Sequence, residues 1–158
     1  MARTIKDAFA SIVDDLLDAD ELELGVGIDG DEENATKLVR TELGIPAGDA
    51  ESVPARPGGG RVVPRPALSR AWDESSDDVL TQVERGILAG KDPRTVLEDA
   101  GDRLVTKFNQ VVDARVVAPL RPATLAIRAA RGQTDQPLVA TGDMRAAVKR
   151  RVRRAGEG

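Results

Sequence analysis

Residues 22–28 read LELGVGI, and a short acidic turn leads from them into residues 32–43, EENATKLVRTEL. Leu22, Leu24, Val26 and Ile28 alternate strictly with Glu23, Gly25 and Gly27. A period of two puts the apolar side chains on one face of an extended chain, which is the pattern of a half-buried β-strand. Residues 32–43 then read as a short helix that Gly44 is placed to terminate. Before the strand, Ile5, Phe9, Ile12, Val13, Leu16 and Leu17 recur at helical spacing, so residues 4–18 read as an amphipathic helix.

Past Gly44 the regular pattern stops. Residues 44–66 hold five prolines and the run Gly58-Gly59-Gly60, which excludes regular helix. A stretch of that length without periodicity is unusual in a compact domain. It reads as an extended loop or arm that is mobile in a monomer and becomes ordered against a neighbour. Arg61, Val62 and Val63 offer a short edge strand within it. A helix is expected from 67 to 89, with Leu68, Trp72, Val79, Leu80, Val83 and Ile87 as its apolar positions, and Gly90 ends it. Asp92-Pro93 is a helix start, an N-cap acceptor followed by proline at the first helical position. The stripe Val96, Leu97, Ala100, Leu104, Val105, Phe108, Val111 and Val112 carries that helix to about residue 116 and reads as core. A short helix is expected over 122–131, a loop from Gly132 to Pro137, and a last turn around Met144 capped by Thr141. Val148 and Val152, in a basic stretch, then offer a strand that closes the sheet.

The 158 residues suit one domain, 1–158, of ordinary size. Its core is built from Leu, Val, Ile and Ala, because Phe9, Trp72 and Phe108 are the only aromatic residues. A thin core in a chain with 32% charged residues points to a subunit that gains stability by assembling. The chain has no Cys and no His, which excludes disulfides, thiol nucleophiles, Cys/His zinc sites and imidazole acid–base chemistry. No apolar run reaches the roughly 18–20 residues of a membrane span, and the N-terminus lacks a signal-peptide pattern. The expectation is therefore a protein made in a cytoplasm, with no membrane partner.

Charge is distributed unevenly. Residues 1–53 hold 14 acidic and 4 basic residues, whereas 121–154 hold 9 basic residues and only Asp135 and Asp143 as acids. One reading is two solvated faces. The other is that one end of each subunit meets the opposite end of its neighbour, as a head-to-tail ring requires. The cluster Arg145, Lys149, Arg150, Arg151, Arg153 and Arg154 is the one notable charge constellation. Three roles stay open for it: contact with nucleic-acid phosphates, pairing with the acidic part of an adjacent subunit, or a solvated tail. On the second role, reversing Arg150, Arg151, Arg153 and Arg154 to Glu blocks assembly and leaves the monomer folded.

Other constellations are weaker. Gly58-Gly59-Gly60-Arg61 lacks the Gly-Lys-Ser/Thr ending and the strand–loop–helix setting of a phosphate loop. Asp14/Asp15, Asp31/Glu32/Glu33 and Asp77/Asp78 lack calcium-loop spacing and read as solvated faces. No nucleophile and base assemble, so no enzymatic activity and no cofactor are expected.

Two stretches resemble a known group. Pro119-Leu120-Arg121-Pro122-Ala123-Thr124, then Arg128, Gln136-Pro137-Leu138 and Thr141-Gly142-Asp143-Met144-Arg145 follow in an order similar to a signature of tailed-bacteriophage minor virion proteins. These are the tail-completion, neck or head–tail joining proteins. Upstream, Gly25-Val26-Gly27-Ile28 and Pro54-Ala55-Arg56-Pro57 resemble the strand and the proline–arginine segment of the same group. Two positions depart from it: Gly58 stands where an aromatic is usual, and Ala146 or Ala147 where a hydroxyl residue is usual.

The resemblance implies an α+β fold, a small antiparallel sheet packed against long α-helices, assembled as a ring that is commonly six-fold. Its structural positions map onto Gly25, Gly27, Pro54, Arg56, Pro57, Pro119, Leu120, Pro122, Thr124, Pro137, Leu138, Thr141 and Gly142. Interface roles fall on Arg56, Arg61 and the basic residues of 145–158. The implied partners are further copies in a hexameric ring, other neck, connector and tail-tube proteins of the virion, and packaged DNA through nonspecific contact. A tail terminator capping the tail tube is the close alternative. A small DNA-binding regulator using the basic C-terminus is the alternative from a different class.

Overall fold

The computed structural model describes residues 22–44, 64–139 and 142–154. They form an α+β arrangement in the order β1 (Leu22–Gly27), α1 (Glu32–Leu43), α2 (Ala67–Leu88), α3 (Pro93–Asp113), α4 (Pro122–Ala130), α5 (Asp143–Ala147) and β2 (Lys149–Arg154). The helix expected over 4–18, the strand at 61–63, and Pro54, Arg56, Pro57, Arg61 and Thr141 lie outside the described residues.

The alternation in LELGVGI does make a strand. β1 pairs antiparallel with β2 in a two-stranded sheet, with Leu22 opposite Arg154, Leu24 opposite Val152 and Val26 opposite Arg150. It stops at Gly27, so Ile28 falls just beyond it. α1 matches its expected span. The Asp31 carboxylate accepts from the Asn34 backbone N–H at 3.0 Å, and Gly44, at φ 73°, donates to the Arg40 carbonyl at 3.0 Å. These bonds satisfy donors and acceptors that the helix ends leave open.

α2 and α3 form an αα-hairpin. Gly90 has φ 72°, its N–H bonds the Ile87 carbonyl at 2.8 Å, and the Lys91 N–H bonds the Gly86 carbonyl at 3.1 Å. This crossed pair is the Schellman ending, which favours glycine at the left-handed position. Asp92 then caps α3, its carboxylate accepting from the Thr95 N–H and hydroxyl, each at 2.8 Å. α3 ends at Asp113, short of the expected 116. There Arg115 turns to φ 53° and takes the chain out of the helix.

The described residues gather into two compact units, and α2 and α3 contribute to both. The first comprises residues 22–27, 75–106 and 149–154. Val79, Ala100 and Leu104 form its buried cluster, with Leu24, Val26 and Val83 packed against them, so the sheet lies on the helices. Two glycines permit that closeness. A Cβ on Gly101 would sit 2.7 Å from Arg150 Cβ and 2.8 Å from Leu24 Cδ1, and one on Gly86 would sit 2.8 Å from Val96 Cγ2.

The second unit comprises residues 28–44, 64–74, 107–139 and 142–148. Phe108 and Val112 are its largest fully buried side chains, joined by Leu38, Ala67, Ala71, Val111, Leu138 and Met144. α5 packs on α1. α2 has no acidic residue in its first turn. Glu42 supplies one from α1, accepting from the Leu68 N–H at 2.7 Å and the Ser69 N–H at 3.2 Å. Among the apolar positions expected for α2, Trp72 and Leu80 are exposed. Val79 and Ile87 are buried as expected, and Ala67 and Ala71 are buried with them.

Candidate functional site

The C-terminal motif falls within the second unit, where Arg128 and Gln136 are fastened to backbone carbonyls and Arg145 to the side chains of Asp113 and Asn109. Pro119 and Leu120 lie in the segment between α3 and α4, and Pro122 is the first residue of α4. Arg65 enters that segment from the start of α2. Its Nε donates to the Ala118 carbonyl at 2.7 Å, and a terminal nitrogen donates to the Pro119 carbonyl at 2.9 Å. Only 8% of Arg65 is exposed. Burial lowers its guanidinium pKa, and the nearby charges of Arg128 and Arg121 push the same way.

On α4, Thr124 and Arg128 are half-buried, one turn apart. Arg128 donates to the Thr134 carbonyl at 3.2 Å and the Gln136 carbonyl at 2.8 Å, and burial lowers its pKa as well. Gln136 in turn donates through Nε2 to the Val112 carbonyl at 2.9 Å. The chain then passes buried Pro137 and Leu138, the latter at φ 67°, an uncommon conformation for a branched residue. Gly142 precedes α5 at φ 90°, so glycine is demanded there, and it caps without a side-chain hydrogen bond. A cap from Thr141 was expected; the cap position falls to Gly142. Arg145 grips Asp113 with two bonds of 2.6 and 2.8 Å and donates to Asn109 at 2.7 Å. That grip is what holds the Asp113 carboxyl below the usual carboxylate range.

The motif glycines of β1 behave differently. A Cβ on Gly25 would meet only the Arg151 carbonyl at 3.9 Å, and one on Gly27 would meet nothing. Space does not demand glycine at either position.

The basic cluster divides between the units. Arg145 belongs to the second; Lys149, Arg150, Arg151, Arg153 and Arg154 belong to β2 in the first. The solvated-tail reading of 149–154 is corrected, because those residues are a paired strand. Arg150 lies 2.6 Å from Asp102 and 3.7 Å from Glu98 on α3. The Asp102 bond raises its pKa. Arg153 pairs with Glu23, its opposite on β1, at 3.2 Å. Quadruple reversal to Glu therefore strikes the fold as well, since Arg150 both pairs with α3 and packs on Gly101. Lys149, Arg151 and Arg154 are exposed.

Three features escaped the sequence reading. Arg65, Glu42 and Gly101 act on partners distant in the chain, and nothing local distinguishes them. A cleft of about 540 Å³ beside the α2–α3 hairpin is lined by Gln82, Arg85, Lys91, Asp99 and Arg103 among others. Gln82 Oε1 is buried there without a hydrogen-bond partner. Among the described residues, no three carboxylates gather as a metal site, and no helix is long and apolar enough to cross a membrane. No family model matches the sequence, and neither a curated protein nor a solved structure matches it.

Proposed function

We propose that this chain is a non-catalytic structural subunit of a tailed-bacteriophage head–tail joint. It forms a ring with further copies and meets neighbouring connector and tail proteins through its surfaces. The observation that carries the reading is the agreement between motif and scaffold. Three of the positions that resemble the joint-protein signature, Arg128, Gln136 and Arg145, tie the second unit's loops together. Arg128 and Gln136 hold backbone carbonyls, and Arg145 holds Asp113. Side chains committed in this way set a shape for partners and are not placed to move protons or attack a substrate.

The basic strand supports a secondary contact with packaged DNA. Such contact is electrostatic and independent of sequence, so it weakens steeply with added salt. A gel shift with unrelated duplexes tests it, with equal, salt-sensitive retardation expected. A sequence-selective shift would favour a regulator and count against the structural role. The direct test of the main reading is composition of purified particles. The chain is expected in mature particles of the encoding phage, at the head–tail joint.

A further inference from the structure

α4 buries none of its nine residues. Thr124 and Arg128 face inward, while Ala123, Ala126, Ile127 and Ala130 recur at helical spacing on the outward side and are all exposed, Ile127 by 52%. Isolated helices shorter than about 12–15 residues are marginal in water, and most draw their stability from a packed apolar face. α4 turns its apolar side outward, as a helix at an interaction surface does.

The second unit also carries a counterpart. On α1, Glu32, Thr36, Val39 and Leu43 recur at helical spacing and all are exposed, Leu43 by 75%. At 1.5 Å per residue this stripe spans about 16 Å and α4 about 13 Å, so their lengths suit one another. Their charges are complementary. Arg131, just past the end of α4, and Glu32, at one end of the stripe, are both exposed and form no ion pair among the described residues.

We propose that the outward face of α4 docks on the Glu32–Thr36–Val39–Leu43 stripe of a second copy, with Arg131 set against Glu32. The two patches differ, so the contact is heterologous and repeats from copy to copy until a ring closes. This inference rests on the self-assembling subunit proposed above and assigns its surfaces.

The chain contains no cysteine, so introduced ones report cleanly. Val39→Cys and Ile127→Cys chains are mixed in equal amounts and joined with a short bis-maleimide, after circular dichroism has shown that both keep native helicity. Mixed dimers are expected to exceed either like dimer about tenfold, the ratio that a modest preference of ~1.4 kcal/mol gives. Glu32→Arg in the Val39→Cys chain should lower that yield, and Arg131→Glu in its partner should restore it. A mixed yield no more than about twice either like dimer, the ratio that random pairing of equal amounts gives, overturns the pairing. If the unmodified chain then still sediments as an oligomer, the ring reading stands with other surfaces. If it sediments as a monomer, that reading loses its support in solution together with the pairing.

Discussion

Arg65 shows how much of this protein rests on single buried groups. Its guanidinium bridges two carbonyls, Ala118 and Pro119, inside the second unit. Arg65→Met removes both bonds to these part-buried carbonyls, and a hydrogen bond to a charged group contributes about 1.5–3 kcal/mol. The denaturation midpoint should fall accordingly. Arg65→Lys should rescue little, because one ammonium is a point donor and does not reproduce the planar fork. Gly101 sets the opposite constraint. On an exposed helix, Gly→Ala gains about 1 kcal/mol. At Gly101 the new methyl meets Arg150 and Leu24 at under 3 Å. Overpacking of that kind costs about 1–3 kcal/mol, so Gly101→Ala should lower the melting temperature where an exposed site would raise it.

Among elements, what was legible in the sequence was local. The period of two located β1, and Asp92-Pro93 located the start of α3, because strand faces and caps are written in neighbouring residues. Gly44 and Gly90 ended their helices as read, both at positive φ. What was not legible depended on partners far along the chain. Glu42 caps α2 across 26 residues. Removing it with Glu42→Ala should cost about 1 kcal/mol, the usual worth of an N-cap, read as lower stability with unchanged helicity at low temperature. The exposure of Trp72 had the same origin, since periodicity counts apolar residues but does not say which neighbour arrives to cover them. The motif's order in the sequence was visible, but not that Arg128 holds two backbone carbonyls and Arg145 holds Asp113. The division of the basic cluster between the two units was equally invisible.

At the scale of the whole molecule, titration should be simple. Asp31, Glu74, Asp92 and Asp113 are all held below the usual carboxylate range: Asp31 by the Asn34 N–H, Glu74 by Arg70 and Lys107, Asp92 by Thr95, and Asp113 by Arg145. Each such group adds stability that is fully present above the pH where unfolded carboxylates ionise, about 4, and is lost as pH falls through its lower folded value. With no histidine in the chain, urea midpoints should stay flat from about pH 5 to 8 and drop only below about 4. A midpoint that shifts between pH 6 and 7 would contradict this account of the charges. The ring proposal uses other charges, the exposed Glu32 and Arg131. Its most direct test is a reconstruction of the mature phage particle. The account predicts this chain as a six-fold ring on the particle axis, between the head and the tail tube. Particles that lack the chain, or that carry it anywhere other than the joint, would contradict it.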